Sequence, residues 1–273
     1  GKNITWDELV QASTHFDLSA HLKLSCSGTH ELGRFPTTPD AYTLRNGEPV
    51  MPEEALAVRA AAESALRNEI QTRLAVAATP DVYLFIHGYN SEFEWPALVI
   101  AQVWHFMGRP GVPIAYSWPA ARPGSLLGYQ YDRESGEFTV YHLKALLKIL
   151  GSVPNLRRVC IVAHSRGTDV LSSALRELTL ELGGPAAATS ALKLGVLVYA
   201  AADLDLEVLS QRFSADGLFM LGSRTIFYVH EKDSALGLST WLFSSGTRVG
   251  RLRPENLNAF AKHLDRLKDM GVQ

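Results

Sequence analysis

Five short apolar runs, separated by helical stretches, constrain the fold of this chain more than any other feature. Apolar residues recur between the runs at helical spacing, as at Leu143, Leu147 and Leu150. Runs this short and this apolar are typical of strands buried on both faces of a parallel sheet, with helices as the crossover connections. The pattern predicts an α/β protein with a mainly parallel sheet and helices on both faces. The runs are residues 82–86, 112–117, 159–163, 194–200 and 225–229.

The first part of the chain lacks this alternation. We expect residues 1–78 to form an N-terminal extension that carries one helix. The helix is expected from Pro52, because proline in the first turn followed by Glu53 and Glu54 suits a helix N-terminus. Its buried stripe is expected at Ala62, Leu66, Ile70 and Leu74.

Residues 79–273 are expected to form one domain. Gly271 is expected to end a helix, and Val272 to begin one more strand, so that the domain would lack its last strand.

Composition excludes several classes of function. A chain of 273 residues with 47% hydrophobic and 20% charged residues has the composition of a soluble globular protein. Its net charge of −2 and the lack of a basic stripe argue against a nucleic-acid partner. No apolar stretch is long enough to cross a membrane. Cys26 and Cys160 predict no structural disulfide, and no histidine and carboxylate cluster has metal-ligand spacing, so neither a metal nor another cofactor is expected.

Residues 157–167, Arg-Arg-Val-Cys-Ile-Val-Ala-His-Ser-Arg-Gly, carry the main chemical signal. A buried strand runs into a small-x-Ser-x-small turn and then a helix, which is the pattern of a nucleophile elbow. Such a turn holds Ser165 in a strained conformation, which requires small residues at Ala163 and Gly167. It lifts the hydroxyl to the carboxyl end of the sheet, beside the positive end of the next helix. Ser165 is therefore the predicted nucleophile.

The strand at residues 82–86 is followed by His87 and Gly88, the position from which such enzymes recruit an oxyanion-hole donor. We expect the backbone N–H of Tyr89 to act with that of Arg166 as the oxyanion hole. The His87 side chain is expected to brace this loop through hydrogen bonds.

A nucleophilic serine needs a base, and the base needs an acid, in the chain order Ser, acid, His for this type of site. Asp233 follows the strand at 225–229 and is the favoured acid, with Asp203 as the alternative. His263 is the one histidine after Asp233, but a helical pattern around it leaves it on a flank of that helix. The open alternatives are that His263 is the base, that the base lies beyond Gln273, or that the domain has none.

Side chains near the strand ends complete the predicted site. Trp118 is expected to line the cleft, because ligands of open α/β sheets bind at the carboxyl edge. Arg166 is expected to form a salt bridge with a neighbouring carboxylate. Asp132, Arg133 and Glu134 are expected to form a structural ion-pair network.

At these residues the chain resembles a bacterial family of α/β hydrolases of formerly unknown function, related to serine esterases and lipases. The family typically has Met where Arg166 stands and Pro where Ala202 stands. The resemblance implies an α/β-hydrolase fold and a histidine in a Gly-His-Ser-like loop after one more strand, which nothing in this chain matches. The resembling segments are residues 85–90, 117–119, 131–135, 163–167, 201–203 and 233–236.

The expected function is that of a serine hydrolase, a carboxylesterase or lipase-like enzyme that cleaves a small-molecule or lipid ester through an acyl-enzyme on Ser165. The alternatives are a non-catalytic hydrolase-like binding or scaffold domain and an acyltransferase. The compartment is left open between bacterial cytoplasm and periplasm.

Overall fold

The computed structural model describes residues 7, 8, 10, 11, 28–36, 42–120, 126–230 and 249–251, with the backbone alone at 126–130 and 251. Short helical turns lie at Gln211–Ala215, Leu218–Met220 and Val249–Arg251. In chain order those elements are β1 (Thr43–Arg45), β2 (Glu48–Val50), α1 (Glu53–Leu74), β3 (Asp81–Ile86), α2 (Glu94–Phe106), β4 (Val112–Tyr116), α3 (Leu126–Gly151), β5 (Arg158–His164), α4 (Gly167–Glu181), α5 (Pro185–Ala191), β6 (Leu194–Ala200), α6 (Leu206–Ser210) and β7 (Arg224–Tyr228).

Five strands form a parallel sheet in the order β4-β3-β5-β6-β7. Val82 of β3 lies opposite Val112 of β4 on one side and Val159 of β5 on the other. The predicted strands match the observed ones to within one residue at each end. The prediction of an α/β protein with a parallel sheet is confirmed.

The order of the strands indicates where a ligand of this sheet would bind. The chain moves outward from β3 to β4 and then returns past β3 to β5, so the direction of winding reverses between β3 and β5. Ligands of open parallel sheets bind outside the carboxyl ends of the strands at such a reversal. The loops after β3 and β5, which carry Tyr89 and Ser165, meet there.

Helices flank the sheet, and the core lies between them. Right-handed crossovers place α3 and α4 on one face and α2 on the other, and α3 packs against α4. On β5, Val159, Ile161 and Ala163 are fully buried, whereas the alternate residues Cys160 and Val162 are half-buried. One face of β5 is therefore more fully covered than the other within the described part of the chain.

The predicted helix of the extension is present as α1, which begins directly after Pro52 and packs on β4 and α3. Of its predicted stripe, Ala62, Ile70 and Leu74 are buried, and Leu66 is partly buried.

The β1–β2 hairpin was not predicted, because all six strand residues are exposed and show no apolar alternation. Its turn holds Asn46 at φ 55° and Gly47 at φ 82°. Asn-Gly is a strong hairpin signal when alternating apolar residues flank it, so in this chain the dipeptide indicated a turn but not the two strands.

Among the described residues, no helix is both long and apolar enough to span a membrane.

Candidate active site

Ser165 lies in a sharp turn between β5, which ends at His164, and α4, which begins at Gly167. Its φ of 50° is left-handed, a conformation that costs an L-residue about 1–2 kcal/mol. Backbone bonds hold the turn on both sides: the Ser165 N–H donates to Ala200 O at 2.9 Å, and Ser165 O accepts from Thr168 N at 3.0 Å and from Asp203 N at 3.3 Å. The serine is half-buried, and its backbone is fixed.

Two glycines allow the loop after β3 to lie directly against this turn. A Cβ placed on Gly88 would stand 2.6 Å from Ser165 Cβ and 3.2 Å from its Oγ. A Cβ on Gly167 would stand 2.4 Å from His87 O. The two backbones therefore meet without intervening side chains, and Gly167 meets the predicted requirement for a small residue.

The His87 side chain braces the loop, as expected from the sequence. It is fully buried, and its Nε2 accepts from the Trp118 backbone N–H at 2.9 Å. The remaining proton is then on Nδ1, which donates to Gly88 O at 2.8 Å. Burial lowers the pKa of His87, although its bonds to Gly88 and Trp118 oppose the shift. The ring is therefore a neutral brace.

Trp118 lies beneath this loop. Its ring stacks on His87 with centroids 5.2 Å apart, and its Nε1 donates to His87 O at 2.9 Å. Only 2% of the residue is exposed. This position favours a bracing role over the substrate contact that the sequence predicted.

Asp132 of α3 reaches the same loop from another side. Its Oδ2 accepts from the Asn90 N–H at 3.2 Å, and the residue is 1% exposed. Burial raises the pKa of Asp132, with partial opposition from the Asn90 N–H and the charge of Arg166. Arg133 and Glu134 are exposed on the helix. Where the sequence predicted an ion-pair network of Asp132, Arg133 and Glu134, the structure shows Asp132 bonded to the Asn90 backbone, which is 42 residues away in sequence.

Arg166 combines a backbone position at the start of α4 with a buried side chain. Amides in the first turn of a helix have no carbonyl partner within that helix, which suits the Arg166 N–H to an anionic ligand. The guanidinium lies 2.9 Å from Asp169 Oδ2, and Asp169 Oδ1 lies 2.6 Å from Arg212 Nη1. The predicted salt bridge of Arg166 is confirmed.

Of the predicted acids, Asp203 follows β6 and is 3% exposed, and its N–H donates to Ser165 O. The chain also returns to this edge at Val249, whose N–H donates to Leu204 O at 3.0 Å. Asp233 and His263 lie outside the described residues.

No group of histidine, cysteine and carboxylate side chains in the described ranges has the arrangement of a metal site. Cys160 is a free thiol.

Comparison with known proteins identifies a family. No curated protein and no solved structure is matched at a significant level. The family described as "Alpha/beta hydrolase of unknown function (DUF900)" matches residues 62–268, which is most of the chain. The match begins inside α1 and includes the five strands of the parallel sheet. This chain belongs to that alpha/beta hydrolase family and has its fold.

Proposed function

We propose that the protein is a serine ester hydrolase of the carboxylesterase or lipase-like class, with Ser165 as its nucleophile. The observation that carries the proposal is the left-handed, half-buried Ser165 between β5 and α4, with the Gly88 backbone against its side chain. A strained non-glycine residue at this point of a parallel sheet is typical of a nucleophile elbow. The family match supports a hydrolase but leaves the reaction class open.

In the first step, Ser165 Oγ attacks the ester carbonyl carbon while the general base takes the hydroxyl proton. The carbonyl oxygen becomes an oxyanion. As the tetrahedral intermediate collapses, the bond from carbon to the alcohol oxygen breaks and the base returns its proton to the leaving alcohol. The acyl group remains on Ser165 as an ester.

In the second step, water attacks the acyl carbon and gives a proton to the base. The bond to Ser165 Oγ then breaks, and the serine recovers its proton from the base. The products are a carboxylic acid and the free enzyme, so no other reactant is consumed.

The base and the acid are proposed from the sequence. Asp233 orients the base, and His263 is the histidine within the chain that fits the order. Asp203 is the alternative acid, supported by its backbone bond to Ser165 O and its burial.

The proposed oxyanion hole is formed by the backbone N–H groups of Tyr89 and Arg166. It is supported by the contact of Gly88 with the Ser165 side chain and by the position of Arg166 at the N-terminus of α4. The partial positive charge of a helix N-terminus stabilises negative charge developing there.

A fluorophosphonate probe tests the proposal, because it forms a covalent adduct with an activated serine. We expect one adduct on the wild-type protein and none on Ser165→Ala. Ser152→Ala is the matched control, since Ser152 Oγ donates to Ile149 O at 2.6 Å and lies away from the carboxyl edge. No labelling of the wild type would remove the hydrolase proposal and favour a non-catalytic binding domain, and equal labelling of Ser165→Ala would move the nucleophile elsewhere.

A further inference from the structure

Two consecutive peptide groups in the loop after β3 are each held by a buried side chain. His87 Nδ1 donates to Gly88 O, and Asp132 Oδ2 accepts from the Asn90 N–H. These two bonds enclose Tyr89. We propose that Asp132, acting together with His87, is a positioning residue for the Tyr89 amide, an inference that rests on the proposed oxyanion hole.

The first bond fixes the direction of the Tyr89 N–H. Gly88 O and the Tyr89 N–H belong to one planar trans peptide, so they point in opposite directions. Because His87 holds the carbonyl, the N–H of Tyr89 lies on the side of the peptide away from the His87 ring. His87 is itself held by the backbone N–H and the stacked ring of Trp118.

The second bond fixes the other end of Tyr89. Asn90 has a φ of 53°, and its N–H belongs to the peptide that joins it to Tyr89. The Asp132 carboxylate accepts that N–H and thereby opposes rotation of this peptide. With both neighbouring peptides held, the backbone of Tyr89 has little freedom to rotate, so the direction of its N–H is fixed.

Asp132 is buried, unlike an ordinary surface acid. It is 1% exposed, and its Oδ1 has no hydrogen-bond partner among the described residues. A buried carboxylate with an unpartnered oxygen is costly. The charge of Arg166 offsets part of this cost. A carboxylate accepts an N–H bond about twice as strongly as a neutral group, which explains an acid at this position.

The test compares two substitutions of Asp132 that differ in one property. Asp132→Asn keeps an acceptor oxygen for the Asn90 N–H, whereas Asp132→Leu has a similar volume and no acceptor. The readouts are kinact and KI for a fluorophosphonate, because phosphonylation of Ser165 places an oxygen in the oxyanion hole. Since kinact is a first-order constant of the labelled molecules, it does not depend on the fraction that is folded.

We expect Asp132→Leu to lower kinact by about 10- to 100-fold, part of the roughly 100- to 1,000-fold loss when an oxyanion donor is removed outright. KI is expected to remain within about threefold of the wild type, since both variants leave the apolar contacts of the probe intact. Asp132→Asn is expected to restore kinact to within about threefold of the wild type, because asparagine keeps an acceptor for the Asn90 N–H. Glu134→Leu, an exposed position two residues along α3, is the control and is expected to leave both constants unchanged.

Three results would overturn the inference while leaving Ser165 as the nucleophile: a wild-type kinact in Asp132→Leu, an equal loss in Asp132→Asn, or a change confined to KI. If Asp132→Leu does not fold, Asp132→Ser replaces it, because its side chain is too short to reach the Asn90 N–H. An unlabelled wild type would remove the oxyanion hole itself and so both proposals.

Discussion

The amino edge of the parallel sheet, where its strands begin, and the carboxyl edge, where they end, hold their buried acids in opposite ways. At the amino edge, Asp81 is fully buried and accepts hydrogen bonds from both Arg157 and Arg158, with the shortest at 2.7 and 2.9 Å. At the carboxyl edge, Asp132 accepts from one backbone N–H and keeps an oxygen without a partner among the described residues. Asp81 is therefore fully paired, whereas Asp132 is buried at a cost in stability.

Backbone conformation shows the same contrast. Arg109 and Lys193 have positive φ near the amino edge, where they follow the ends of α2 and α5. Left-handed residues are common at helix ends. Ser165 and Ala201 have positive φ directly after β5 and β6, where no helix ends. Strain that helix capping does not explain is typical of functional sites, and here it is found at the carboxyl edge.

The largest effect is expected from the proposed acid at the carboxyl edge. Asp233→Asn should lower the rate of probe labelling by roughly 1,000- to 10,000-fold, since a neutral partner no longer orients and stabilises the base. Asp203→Asn is the matched variant and should cost less than about 10-fold, because a carboxylate that does not orient the base contributes little to the rate of labelling. The reverse ranking in stopped-flow or gel-based labelling would assign the acid to Asp203.

The next effect compares a glycine at each edge. Gly88→Ala places a Cβ against Ser165, and Gly111→Ala places one 2.2 Å from Asp81 O. Both should lower the melting temperature, because each Cβ meets atoms that must shift. Only Gly88→Ala should also lower kinact of the folded protein, by about 100-fold. An equal kinact in the two variants would show that the close contact at Ser165 has no role in the reaction.

At the amino edge, the expected effect is on stability alone. Burial raises the pKa of Asp81, but the hydrogen bonds and charges of Arg157 and Arg158 outweigh burial and bring it from 3.8 to about 2. A lowered pKa stabilises the fold fully above pH about 4, and this stabilisation is lost as the pH falls towards about 2.

Asp81→Asn should therefore reduce the free energy of unfolding by roughly 1–2 kcal/mol at pH 7, since one pKa unit is about 1.4 kcal/mol and the half-exposed guanidinium groups are screened. Chemical denaturation at pH 7 and pH 3 measures the difference between variant and wild type, which should shrink at the lower pH. A difference that grows on acidification would contradict this assignment, and so would a slower labelling rate in Asp81→Asn.

The smallest effect concerns the left-handed turn itself. Ser165→Gly should be more stable than Ser165→Ala by about 1 kcal/mol, because alanine has to adopt a positive φ that glycine adopts freely, although the greater freedom of unfolded glycine opposes this gain. Urea titration of the two inactive variants measures the difference. A more stable alanine variant would indicate that the turn at Ser165 is not left-handed in solution.

The sequence was sufficient for the sheet and for the turn, because both depend on local patterns. The apolar run at 159–163 marks β5 (Arg158–His164). The small-x-Ser-x-small pattern predicted a small residue at Gly167, and the structure shows the reason, since a Cβ there would stand 2.4 Å from His87 O. Chain order and motif position likewise led to the brace at His87.

The sequence was insufficient where contacts depend on how elements lie across the fold. The bond between Asp132 and Asn90 requires the strand order, since α3 reaches this edge only because β4 lies beside β3. The burial of Trp118 depends on the loop after β3, which covers its ring. Asp233 and His263 stay predictions, since both lie outside the described residues.

A crystal structure of the protein with a phosphonate bound to Ser165 would locate both the nucleophile and the oxyanion hole. We expect a covalent bond from Ser165 Oγ to phosphorus, with one phosphonyl oxygen about 2.7–3.1 Å from both the Tyr89 and Arg166 nitrogens. An adduct on another residue, or a phosphonyl oxygen that faces neither amide, would contradict this expectation.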